Sequence, residues 1–162
     1  MDNQKFIPLK IMNERERKEI LDKLNEQFGI NEIPGKIVAR GKDRLFLSSV
    51  GLSDTELKNI EDSIVIERVG VYFAKVDDLT GKIRLSIEGS QIFKNQIKKN
   101  IFEIQNNEDF EKWMKGQELN ISTGKKDFLI MKYKDNFVGT GKASAEKISN
   151  FIPKNRRLKE RG

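Results

Sequence analysis

Apolar residues first recur at helical spacing at Ile20, Leu21, Leu24 and Phe28, in a stretch that opens at Asn13 and closes at Gly29. That spacing puts the four side chains on one helix face. Asn13 stands at the N-cap, with Glu16 in the reciprocal capping position and Gly29 at the left-handed stop. The opposite face, Glu14 through Glu19, alternates in charge sign and reads as a solvated face with intrahelical pairs. Pro34-Gly35 then marks a turn, and residues 36–40 and 44–47 form a hairpin around Gly41-Lys42-Asp43. Ser53 with Glu56 signals a short capped helix. Residues 65–76 are the most strand-like run in the chain, and Gly70 inside it marks a bulge or a close backbone approach. Asp77 to Gly81 turns the chain into a further strand over residues 82–87.

From Gly89 the elements shorten. Residues 89–100 predict a short helix with Ile92, Phe93 and Ile97 inward, residues 101–104 a strand, and residues 109–114 a second short helix that holds Trp113 and ends at Gly116. Phe128, Ile130 and the Tyr133 ring fit a half-buried strand. The Asp135-Asn136 turn leads into a second strand ending in Gly139-Thr140-Gly141, and a polar link joins it to Phe151-Ile152-Pro153.

Charge changes the picture. Residues 125–162 hold 11 basic and 4 acidic side chains, residues 83–124 hold 6 of each, and residues 1–82 hold 14 basic and 15 acidic. The whole net charge of +6 thus resides in the last quarter, which points to a polyanionic partner. With no Cys and no His, the chain has no disulfides, no Cys nucleophile, no His base and none of the common transition-metal sites. No run of 18 apolar residues is present and residues 1–5 lack the apolar core of a signal peptide, so the expectation is a cytoplasmic protein with no membrane partner. Asp77 and Asp78 are the one carboxylate pair near a strand end. As strand neighbours they point to opposite faces, so turn chemistry is the expectation and not a catalytic dyad.

Three elements in order carry a resemblance: Glu111-Lys112-Trp113-Met114-Lys115-Gly116-Gln117-Glu118-Leu119, then Val138-Gly139-Thr140-Gly141-Lys142, then Asn150-Phe151-Ile152-Pro153-Lys154-Asn155-Arg156-Arg157. This pattern resembles the PUA-like RNA-binding domain attached to the Nop/Sun family of RNA cytosine-5 methyltransferases. The larger layout is similar to Nip-type ribosome-biogenesis proteins, which carry an α/β domain before a PUA domain. The resemblance implies an α+β fold: an N-terminal α/β, pre-PUA-like domain over residues 1–82, then a PUA-like mixed β-barrel with a basic tail over residues 83–162. The charge step near residue 82 and the change of texture place the boundary between residues 77 and 88, with a stable C-terminal fragment expected on limited proteolysis.

The resemblance also implies an RNA-binding face made of Lys94, Lys98 and Lys99 on the first short helix, together with Lys142, Lys154, Arg156 and Arg157 near the end. Asn100 stands where many PUA domains have Gly, and Asn tolerates the left-handed backbone such a turn needs. The methyltransferase part has no counterpart: there is no Gly-rich strand-turn-helix, no G-x-x-x-x-G-K-S/T and no Cys to attack a pyrimidine. The expectation is therefore a non-enzymatic protein without cofactor that binds structured RNA, rRNA or its precursor or a tRNA-like fold, in ribosome biogenesis or RNA modification, alongside assembly or modification proteins. The alternative is a protein-interaction adaptor that recruits a modifying enzyme.

Three features have two readings each. Trp113 either stacks on a base or packs its helix, and Phe110 and Met114 beside it favour packing. Gly139-Thr140-Gly141 either packs tightly or lets an RNA backbone approach; with no helix following promptly it is no phosphate cradle. Lys36, Arg40, Lys42 and Arg44 read as a charged sheet edge before a phosphate site.

Overall fold

A computed structural model describes residues 8–48, 53, 55–56 and 70–159. The elements run β1 (Leu9–Ile11), α1 (Glu14–Phe28), β2 (Lys36–Arg40), β3 (Arg44–Ser48), β4 (Val71–Val76), β5 (Ile83–Leu85), α2 (Ile87–Ile92), β6 (Ile101–Glu103), α3 (Asn107–Met114), β7 (Phe128–Tyr133), β8 (Asn136–Ala143) and β9 (Ile148–Asn150), closing with a 3-10 turn at Lys154–Arg156. The first five strands form an antiparallel meander in chain order, and β6 to β9 form a second sheet in which only β6 and β7 run parallel.

The capping signals hold. The Asn13 side chain accepts from the Glu16 N–H, the Glu16 carboxylate accepts from the Asn13 N–H, and Gly29 closes α1 at φ 80°. Ser53 and Glu56 exchange the same reciprocal pair of bonds at 3.1 Å. Gly70 is a close approach: a Cβ there would lie 1.9 Å from the Leu47 carbonyl oxygen. Asp77 is turn chemistry, its carboxylate accepting from the Thr80 N–H and hydroxyl at 3.0 and 2.7 Å. Of the expected strand over 65–76, positions 65–69 lie outside the described residues.

The first short helix differs from the expectation. Ser86 caps it, its Oγ accepting from the Gly89 N–H at 2.9 Å and donating to the Tyr72 carbonyl at 2.8 Å, so the helix starts at Ile87. It stops at Ile92, which is exposed. Phe93 and Ile97 are buried, but they reach the core from the turns that follow. The Lys98 N–H then donates to the Phe28 carbonyl at the end of α1, at 2.8 Å. Asn100 adopts φ 54° and sends its Nδ2 to the Gln27 carbonyl, so the left-handed turn survives without glycine.

A second correction concerns β7. Its Phe128-Leu129-Ile130-Met131 run is buried throughout, with Phe128 and Ile130 in one core cluster and Leu129 and Met131 in another. A strand covered on both faces reads as a continuous apolar run. The second sheet is thus a partition. On one side, Ile20, Leu24 and Phe28 of α1 pack with Leu45, Leu47, Phe73, Ile83 and Leu85 of the first sheet, and the cluster continues through Phe93 and Ile97 to Phe128, Ile130 and Phe137. On the other side, Trp113 of α3 packs with Ile104, Leu119, Ile148 and Ile152. Where the sequence places a boundary near residue 82, the turn at 77–81 leads directly into β5, which pairs with β4, and residues from both sides enter one cluster.

The expected barrel is not closed. Among the described residues β6 and β9 are the two edges of an open sheet. Each has three residues, and the outer side of β9 is taken by Leu119, which exchanges two backbone hydrogen bonds with Ile148 at 3.1 and 2.8 Å. At Ile148 that edge is paired with Leu119 and not with β6. In the sequence β9 has the pattern of a polar link, because Ser149 and Asn150 mask the one buried residue, Ile148.

Candidate nucleic-acid interface

The seven basic residues expected to bind RNA fall into three groups. Lys94, Lys98 and Lys99 are all exposed, but they do not lie on a helix: all three follow its end at Ile92, so a shared helical face does not exist. What brings Lys98 and Lys99 to the surface is the hydrogen bonding of their backbones to the end of α1, both N–H groups reaching the Phe28 carbonyl. Lys125 joins them, its Nζ 3.4 Å from Asn100 Oδ1. Lys98, Lys99 and Lys125 therefore gather around the Asn100 turn.

Lys142 sits apart, on β8, with its Nζ 5.8 Å above the Phe128 ring. The third group is at the chain end. Lys154 is exposed, whereas Arg156 and Arg157 have protein partners. Arg156 donates to the Glu88 carboxylate of α2. Arg157 is half-buried, donates from Nε to the Ile152 carbonyl at 2.9 Å, and lies over Gly116, where a Cβ would meet the guanidinium at 2.2 Å. Part of the basic tail is thereby a fastening of the chain end to α2 and α3, with the Leu158 N–H donating to the Met114 carbonyl.

Burial is the largest single influence on Glu88 and opposes its ionisation, but the hydrogen bond and charge of Arg156 help to hold its carboxyl below the usual range. A depressed folded-state value stabilises the fold above the unfolded value, and that stability is lost as pH falls through the folded one. Glu88→Gln is therefore expected to flatten the fall in unfolding free energy between about pH 6 and about pH 3, read by urea titration at each pH.

Trp113 packs. It is wholly buried and its Nε1 donates to the Val138 carbonyl at 2.9 Å. Gly141 is tight packing too: a Cβ there would lie 2.5 Å from Ile148 Cγ2 and 2.8 Å from Trp113 Cη2. Thr140, between the two glycines, donates to the Leu85 carbonyl at 2.7 Å and ties the second sheet to the first.

Two cations escaped the sequence reading, Lys75 and Arg84. They face each other across the β4–β5 ladder. With Lys142, Asp77, Asp78, Leu79, Phe128 and Phe151 they line a cavity of about 350 Å³ at the seam between the sheets. The signal was present: a hairpin turning at Asp77 to Gly81 pairs Lys75 with Arg84 on one face. The Thr80 hydrogen bond holds the Asp77 carboxyl below its usual range, and the charges of Lys142 and Arg84 act in the same direction.

Residues 99–158 match the family model described as the methyltransferase RsmF PUA domain. No curated protein matches the chain. A PUA domain points to RNA binding and commonly accompanies RNA-modifying enzymes. The matched segment holds β6 to β9, α3 and the fastened chain end, so the part of the molecule beyond the Asn100 turn is similar to the PUA domain at the C-terminus of Sun-family RNA methyltransferases.

Proposed function

We propose that this is a non-catalytic, cytoplasmic protein that binds structured RNA, rRNA or its precursor, as an accessory in ribosome biogenesis or RNA modification. The observation that carries the reading is the PUA match over residues 99–158, which falls on the part of the chain that holds the charge excess. On this reading the five-stranded N-terminal lobe with α1 takes the place that a pre-PUA domain has in Nip-type proteins. The first contact surface is the Lys98, Lys99 and Lys125 cluster, together with exposed Lys94 and Lys154. Arg157 serves the fold, and Arg156 is held by Glu88.

Each lost phosphate contact flattens the slope of log affinity against log salt by about 0.7 to 0.9. Lys98, Lys99 and Lys125 changed together to Ala should therefore weaken RNA binding strongly at low salt and reduce the slope by roughly two to three. Thermal stability should barely move, because exposed charges contribute little to folding. The matched control is Lys18, Lys42 and Arg44, all exposed and all on the N-terminal lobe. Equal loss in the control would remove the binding site from this cluster. An RNA-free preparation carrying a stable protein partner would favour the adaptor instead.

A further inference from the structure

The seam cavity combines features that no packing role requires. Phe128 and Phe151 meet edge to face, centroids 6.1 Å apart, and each ring carries a cation: Arg84 Cζ is 4.2 Å from the Phe151 centroid and Lys142 Nζ is 5.8 Å from that of Phe128. Neither cation has an ion pair among the described residues, although Asp77 lies close enough to feel both charges. Lys75 stands beside them, 3.5 Å from Asp43. Asp78 is exposed, and Leu79, at 91 % exposure, is held at the rim by a turn whose geometry Asp77 and Thr80 fix.

We infer that this cavity takes one unstacked nucleotide of a bound RNA. The inference rests on the RNA-binding function proposed above and adds a position to it. A nucleobase outside a helix needs a flat polarisable face, which the Arg84 guanidinium backed by Phe151 supplies. Its phosphate needs cations, which Lys142 and Lys75 supply. Base amino groups need an acceptor, and the exposed carboxylate of Asp78 is one. Leu79 offers an apolar edge against the open side of the base. The cavity volume, about 350 Å³, is in the range of small-ligand sites. Both lobes build it, since Lys75, Asp77, Asp78, Leu79 and Arg84 lie on or beside the β4–β5 hairpin and Phe128, Lys142 and Phe151 on or beside the second sheet. Only a docked pair of lobes therefore presents the site.

The test uses the full chain and two RNAs, a blunt hairpin and the same hairpin with a short single-stranded 3′ extension. The extension should tighten binding by about tenfold. Arg84→Ala should abolish that gain while leaving the affinity for the blunt hairpin nearly unchanged. Arg84→Lys keeps the charge but not the flat face, and should lose most of the gain as well. Leu79→Ser, at a position too exposed to affect folding, should reduce the gain and serves as the second variant if Arg84→Ala fails to fold. If the hairpin binds and the extension adds nothing, or if Arg84→Lys keeps the full gain, the nucleotide site is wrong while the RNA-binding function stands. Full competition by free AMP would make this a mononucleotide site and overturn the inference. If neither RNA binds, both readings fail.

Discussion

Trp113→Ala is expected to lower the unfolding free energy by on the order of 3–5 kcal/mol, the range for deleting a large buried aromatic side chain. Trp113 is fully enclosed, and its ring is the centre on which Leu119, Ile148 and Ile152 converge with Leu129 and Met131 from β7. Its indole N–H is also committed to Val138, so truncation removes a hydrogen bond with the packing. The second sheet is open, and this cluster is what covers its outer face. A cavity there cannot be relieved by strands closing in, because Gly141 already brings β8 as near to Trp113 as backbone allows. Trp113→Phe separates the two contributions: it keeps most of the ring volume and should cost about 1–2 kcal/mol, chiefly the hydrogen bond. Chemical denaturation measures both. RNA affinity of the Phe variant, under conditions where it is folded, should equal that of the parent. A selective loss of RNA binding would restore the base-stacking role that burial argues against.

Much of the fold was legible in local signals. Helix α1 is framed by Asn13, Glu16 and Gly29, and each contributes through its own backbone or first turn, so no distant contact was needed to place it. The hairpin of β2 and β3 was legible for the same reason. What the sequence hid depends on partners far along the chain. The start of α2 is set by Ser86, whose hydroxyl bonds Tyr72 on β4 as well as capping the helix. Without that contact the apolar spacing suggests a later start and a longer helix, and it puts three lysines on a face that does not exist. β9 is three residues with one buried side chain, too little pattern to register. Among the site residues, the family resemblance and the charge excess brought Arg156 and Arg157 forward, yet Glu88, Ile152 and Gly116 determine what they do. Arg84 gives no local signal, because a lone Arg within a strand looks like a solvated position until Phe151, 67 positions later, is laid beneath it.

The fragment 83–162, produced alone, is expected not to reach a stable fold, in contrast to what the charge step near residue 82 suggests. Its side of the shared cluster comprises Ile83, Leu85, Phe93, Ile97, Phe128, Ile130 and Phe137, and α1 with β3 and β4 supplies the other side. Removing residues 1–82 bares that whole apolar face, at about 1.5–3 kcal/mol for each large side chain returned to water. Polar contacts are lost with it. Gln27 both accepts from and donates to the Ile83 backbone at 2.7 and 2.9 Å, Asn100 Nδ2 reaches the Gln27 carbonyl, and Gln96 Oε1 accepts from the Asn31 and Glu32 N–H groups. β5 loses its only sheet neighbour among the described residues. A domain of this size has a net stability of only about 5–15 kcal/mol, so a loss spread over several such side chains exceeds the reserve. The expected readout is a fragment with broad, poorly dispersed amide resonances and exposed apolar surface that binds a hydrophobic dye. Adding residues 1–82 as a separate chain should restore dispersion, because the two pieces bury the same cluster. A fragment that melts cooperatively by itself would show instead that β6 to β9 and α3 hold together on the Trp113 cluster alone, and that the seam is an interface between two independent folding units.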